Sequence, residues 1–255
     1  MTVKRDTAVA LSFLLAFLVL SYAVVEKDVM GLSKNPLRPL GEFYLGHAFA
    51  SGELTSHSPE VVTAIVWNYR GFDTLFETFV FFLAIMGTLS VLRLREGQER
   101  MVRDMERVEP HRHMDLIVRV ITRLVLLMII GISASIALHG HLTPGGGFQG
   151  GSAMAVASLL LFAVFSKFTL ERRGLTLRHT LGAYAVGIAI ILLTVYAPLA
   201  LGGRFLQINL LPGELGLFDL DVGEYLAVSF GFLSVFLILG VSEWIFRRIL
   251  RGEVR

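Results

Sequence analysis

Six apolar runs, each near the length that crosses a bilayer, constrain this 255-residue chain more than any single motif. They are Ala8–Val25, Thr74–Leu92, Leu116–Leu138, Gln149–Ser166, Leu181–Leu201 and Val222–Phe246. A hydrocarbon core takes roughly 20 helical residues. Within it the backbone must satisfy its own N–H and C=O groups, which a helix does. The pattern predicts an all-α integral membrane protein with about six transmembrane helices, grouped two and then four, and a long external segment after the first. The first run lacks a small-residue cleavage site and reads as a retained helix.

Composition agrees. The chain is 54% hydrophobic and 17% charged, against roughly 25% charged in a soluble domain. Its mean hydropathy is +0.67. It contains no cysteine, which excludes thiolate-held iron–sulfur clusters, disulfides and cysteine nucleophiles. Sixteen of the 23 basic residues fall in the termini and in the loops after the second and fourth helices. By the positive-inside rule this places both termini in the cytoplasm of a multi-pass protein of the cell membrane.

The connection between the third and fourth helices then faces outward. It runs His139-Gly140-His141-Leu142-Thr143-Pro144-Gly145-Gly146-Gly147-Phe148-Gln149-Gly150-Gly151, and seven of these 13 residues are glycine or proline. Neither residue type sustains a helix, and irregular backbone at membrane depth is tolerated only where protein or water covers it. The loop is therefore expected to pack against protein. No Lys-Ser/Thr follows the glycines, which argues against a nucleotide-phosphate cradle.

Residues 26–73 form the external segment. Asn35–Gly41 and Ser56–Pro59 carry loop chemistry, Glu42–Ala50 reads as a short helix, and the β-branched Val61–Tyr69 fits a short strand or an interfacial helix equally well. Residues 93–112 are a mixed-charge stretch with Glu96–Arg100 and Glu99–Arg103 at helical spacing, expected as a solvated cytoplasmic helix.

Ionisable side chains inside a span are costly, so each marks a site by default. Asp73 and Glu77 lie four apart at the outer start of the second helix, on one face. Glu77 is about one turn inside, where a carboxylate can take up and release a proton or a sodium ion, and Asp73 suits a helix cap. Glu224 sits deep at the outer end of the last helix, while Asp219 and Asp221 read as interfacial. Arg119 and Arg123 are expected to snorkel to the cytoplasmic side, and Glu243 to pair with Arg247. His139 and His141 have no third or fourth ligand in sequence to complete a metal site. No nucleophile stands with its base. Two classes remain, a subunit of an ion-translocating complex and a small self-contained transporter. The unlike halves disfavour the second, which would show repeats.

The stretch His139–Gly151 resembles the signature of the B subunit of Mrp/Mnh-type multi-subunit cation/proton antiporters, and the four helices from Leu116 to Phe246 match that subunit in size and order. Separately, Val61–Glu77, ending Arg70-Gly71-Phe72-Asp73-Thr74-Leu75-Phe76-Glu77, resembles the C-terminal end of the large A subunit. In related membrane-bound hydrogenases that region is a separate small subunit, often called E. The family reads Gly-Phe-Asp-Thr-Leu-Gly-Glu, and here Phe76 stands in place of the second glycine while the carboxylate is kept.

The resemblance implies three parts: residues 1–92 as an A-end-like two-helix module, 93–113 as a charged linker, and 114–255 as a four-helix B-like module. It implies a non-redox subunit of a Na+/H+ antiporter module, not catalytic by itself. The module would belong to a respiratory complex of hydrogenase or sulfane-reductase type, or to a free-standing antiporter. Glu77, Asp73 and Glu224 would serve ion passage. His139, His141, Pro144, Gly145, Gly146, Gly147 and Phe148 would seat the outer loop against neighbours. Na+ and H+ would be cargo, with no resident cofactor or metal. Expected partners are A/D-, C-, E-, F- and G-like membrane subunits, a peripheral iron–sulfur arm and the lipid bilayer, with no nucleic acid.

Overall fold

The computed structural model describes residues 2–26, 37–48, 55–92, 115–165, 170–171 and 173–239. The charged stretch 93–112 and the Glu243–Arg247 pair lie outside the described residues. The chain divides into two compact units, residues 1–43 and 44–255. The first holds α1 (Thr2–Glu26), which carries the apolar stretch Leu11–Val24, and the start of α2 (Pro39–Ala48).

The second unit contains everything that follows. A short helix α3 (Val61–Thr63) widens into a π-helical turn, Ala64–Tyr69. Then come α4 (Gly71–Leu92), α5 (Leu116–Leu138), α6 (Gly147–Val164), α7 (Leu177–Ala200), a 3-10 turn (Ile208–Leu210) and α8 (Leu215–Leu239). The helices α4 to α8 are the five long and apolar enough to cross a membrane. With α1 the protein is an all-α membrane protein of about six spans. No strand occurs among the described residues, and the ambiguous Val61–Tyr69 run is helical. Trp67, 1% exposed, decides it by burying in a core with Ile191, Val195, Ile208, Leu217 and Leu220.

Helix α8 is the hub, with α4, α5, α6 and α7 all against it. Small residues make the close approaches. A methyl group on Gly187 of α7 would lie 2.6 Å from Ala227 N, and one on Gly151 of α6 would lie 2.6 Å from Val228 Cβ. Lipid tails give helices no hydrophobic reason to associate, so such contacts and polar bonds hold the bundle. Ser234 of α8 donates to Thr180 of α7 at 2.8 Å, and Ser133 of α5 meets Tyr225 of α8 at 3.2 Å. Other hydroxyls fold back onto the preceding turn, as Thr78 to Thr74 C=O and Thr194 to Ile190 C=O, which satisfies these hydroxyls within their own helix. Aromatic rings tie α4 to α7 and α8. Phe82 stacks on Tyr184 and Phe81 meets Phe232 edge-on.

Candidate functional site

The glycine loop closes over two carboxylates of α8. Asp221 Oδ1 accepts the Gly147 N–H at 3.2 Å, and Glu224 Oε2 accepts the Phe148 N–H at 3.2 Å. Both donors belong to the first turn of α6, whose N–H groups have no partner within the helix and whose dipole favours negative charge. Asp221 and Glu224 are three apart, so α8 presents both on one face.

The glycines follow from this contact. A methyl group on Gly140 would lie 2.6 Å from Asp221 Oδ2 and 2.5 Å from Gly146 Cα. On Gly147 it would lie 2.7 Å from Glu224 Cβ. Gly146 has φ +129, a conformation that side chains avoid. The loop is thus shaped around the Asp221 side chain, with backbone where any other residue would place Cβ.

The outer segment fastens the loop from above. Ser58 Oγ donates to His141 C=O at 2.7 Å, and Thr63 Oγ1 donates to Gly140 C=O at 2.6 Å. Glu60 caps α3, its Oε2 accepting the Thr63 N–H. The His141 ring lies against Phe218 edge-on, with Nε2 3.4 Å from Glu214. Burial lowers the His141 pKa from its ordinary value, outweighing the Glu214 carboxylate. His139, by contrast, is exposed and turns its Nδ1 to Ser135 C=O. The two histidines therefore have different surroundings, and among the described residues no three His, Cys, Asp or Glu side chains converge as a metal cage.

Beneath the loop lies a cavity of about 240 Å³, lined by Trp67, Thr74, Glu77, Phe148, Asp221 and Glu224 among others. None of its lining residues is lysine, arginine or histidine. Glu77 reaches it from α4 and is otherwise exposed on the outside of the bundle. Thr74 Oγ1 donates to Val66 C=O at 2.6 Å, filling the carbonyl that the π turn leaves accessible. Phe148 is 46% exposed and meets Phe81 edge-on, and Pro144 is exposed.

Of the three residues expected on an ion path, Glu77 and Glu224 line this cavity. Asp73 stands apart, its Oδ2 taking two hydrogen bonds from exposed Arg70 at 2.8 and 2.6 Å. Asp221, expected at the membrane interface, is buried within the protein. It is 1% exposed, under the loop. Glu60, Ser58 and Thr63 were also not anticipated. The available signal was the i,i+3 pair Asp221–Glu224 on a helix face that also carries Leu217 and Val228. Loop position alone could not show which helix the glycines wrap.

Residues 117–245 match the family described as a domain related to the MnhB subunit of Na+/H+ antiporter. An uncharacterized protein of Methanocaldococcus jannaschii is 26% identical over 218 residues, covering 81% of this chain and 76% of that protein. Among solved structures, the membrane-bound sulfane sulfur reductase, an archaeal respiratory membrane complex, contains a chain similar at TM-score 0.56 and 26% identity, covering 89% of this chain and 98% of that one. The Mrp complex from Dietzia sp. DQ12-45-1b matches at TM-score 0.59 and 20% identity over 89% of this chain, a likeness of fold. The present chain spans 26% of that Dietzia chain. With the family match covering half of its length, the chain belongs to the family of domains related to the MnhB subunit of Na+/H+ antiporters.

Proposed function

We propose that this protein is a non-redox membrane subunit of a multi-subunit Na+/H+ antiporter module, contributing both to sodium/proton translocation and to assembly of the membrane arm. The observation that carries the reading is the buried pair Asp221 and Glu224, held by α6 N–H groups beside a cavity that Glu77 opens to the flank of the bundle. Purely structural helices rarely keep two carboxylates at this depth without a cation. Glu77 and Glu224 serve ion passage, with Asp73 at its outer approach. Na+ and H+ are the cargo, and the chain holds no cofactor of its own.

The near-complete overlap with one chain of the sulfane reductase supports membership in a redox-driven respiratory complex over a free-standing antiporter. In that reading the partners are antiporter-type membrane subunits and a peripheral iron–sulfur arm. Exposed Phe148 and Pro144 seat the loop against a neighbouring subunit, and both termini are cytoplasmic. Residues 1–92 act as an A-end-like module, 93–113 as the linker and 114–255 as the B-like module.

The test is Glu77→Gln in the assembled complex, read as sodium-dependent proton movement in inverted vesicles with assembly checked on a native gel. Transport is expected to fall while assembly is kept. Unchanged transport would leave the chain a scaffold.

A further inference from the structure

We propose that Asp221 and Glu224 together form one exchange site for a monovalent cation, proton or sodium, enclosed by the glycine loop and loaded through the cavity from Glu77. The inference rests on the antiporter-subunit reading and adds to it a named binding pair, with Asp221 as the inner member.

Three observations support it. First, Asp221 Oδ2 is fully buried and takes no hydrogen bond among the described residues. A carboxylate offers about four acceptor positions. If the pair merely capped α6, one bond to each side chain would suffice and the second Asp221 oxygen would not need a slot of its own. Yet the loop leaves that slot, because Gly140 is backbone only where Oδ2 lies. Second, charge is not balanced. No cationic side chain lines the cavity, and an unpaired buried carboxylate is strongly unfavourable. The titratable groups facing the pair are acidic too. Glu60 from the outer segment acts on Asp221, and Glu77 from α4 acts on Glu224. Helices α5, α6 and α7 bring no ionisable side chain to the cavity. Third, there is access. The cavity of about 240 Å³ holds several waters at about 30 Å³ each, and its acidic mouth at Glu77 concentrates cations.

The chemistry balances as an exchange of one positive charge. A proton leaves a carboxyl of the pair as a sodium ion enters, or leaves alone towards Glu77. Sodium is a hard cation suited to carboxylate, hydroxyl and water oxygens. The pair, Thr74 and Thr78 supply such oxygens at the cavity wall.

The experiment uses the intact complex. Infrared difference spectra of the purified wild type are recorded on changing pH without sodium, and on adding sodium at fixed pH, alongside Asp221→Asn and Glu224→Gln. The Asn variant keeps an oxygen for the Gly147 N–H, so the loop can remain seated. The expected result is a protonated-carboxyl band in the wild type that is lost in both variants. Its loss on adding sodium assigns a sodium/proton exchange, and its response to pH alone assigns a proton site. Sodium-dependent proton movement in vesicles is expected to fall about tenfold or more in Asp221→Asn, because the exchange site is then left with one carboxylate of its pair. A wild-type spectrum without such a band under either change overturns the inference, and needs no variant to fold. So does Asp221→Asn with full transport, while Glu77→Gln loss would still uphold the subunit reading. A wild-type complex that moves no protons in response to sodium overturns that reading instead.

Discussion

Replacing Gly147 with alanine is expected to open the seam between α6 and α8. The new methyl group would lie against the Asp221 backbone C=O, 2.7 Å from Glu224 Cβ and 2.9 Å from Tyr225 N, whereas carbon atoms rest at about 3.5–4.0 Å. The first turn of α6 must therefore retreat by about 1 Å. The two N–H···carboxylate bonds are already 3.2 Å, and this retreat takes them past the roughly 3.5 Å at which such bonds fail. Overpacking costs about 1–3 kcal/mol, and each hydrogen bond to a charged group contributes about 1.5–3 kcal/mol. Cavity water restores part of the second loss, leaving about 3–6 kcal/mol. At roughly 2–4 °C per kcal/mol for a chain of this size, Tm should fall by about 6–24 °C. The assay is thermal unfolding of the purified complex in detergent, with proton movement measured below the transition. A fall under about 2 °C would refute the argument that the glycine is required by the close seating of α6 on α8.

Two glycines of α7, five residues apart, should respond with opposite sign. Gly182 has open space where its Cβ would be, so Gly182→Ala should stabilise the helix by about 0.5–1 kcal/mol. Gly187→Ala would meet Ala227 N at 2.6 Å and Gly223 O at 2.7 Å and should cost about 1–3 kcal/mol, and the two melting temperatures decide it. His141 predicts an acid-labile loop. Its pKa is lowered from 6.5 in the folded protein, so the open loop binds the proton more tightly, and stability is complete above that value and lost as pH falls below it. Hydrogen exchange of the 139–147 amides, corrected for intrinsic rate, should be faster at about pH 5.5 than at about pH 7.5; equal protection at both would remove His141 from this role.

Apolar run length read the spans well. Leu116–Leu138 has the same limits in sequence and structure, and α4 begins at Gly71, three residues before the run Thr74–Leu92. The largest miss is α8, expected from Val222 and observed from Leu215. Asp219 and Asp221 look in sequence like the polar edge of a span, since hydropathy counts a carboxylate as wet wherever it lies. The helix instead continues upward because α6 and the loop supply its carboxylates with N–H donors. Val61–Tyr69 was ambiguous for a related reason. Its β-branched residues fit either structure locally, and only the burial of Trp67 selects the helical turn. The glycine loop was legible as covered backbone and as a family signature, but its occupant lies about 75 residues further along the chain. A single sequence does not show that pairing.

The position of α8 as hub has a consequence for biosynthesis. Ribosomes deliver this chain from its N-terminus, so α4, α5, α6 and α7 enter the bilayer before the helix they all lean on exists. Each is apolar enough to be inserted by itself, yet none of the close glycine contacts onto α8 can form until residues 215–239 emerge. Insertion and assembly are therefore separate stages. The Gly147 and Phe148 N–H groups gain their carboxylate partners only once Asp221 and Glu224 have been made. The last described helix to be made acts as the keystone, and its two acidic residues are the latch.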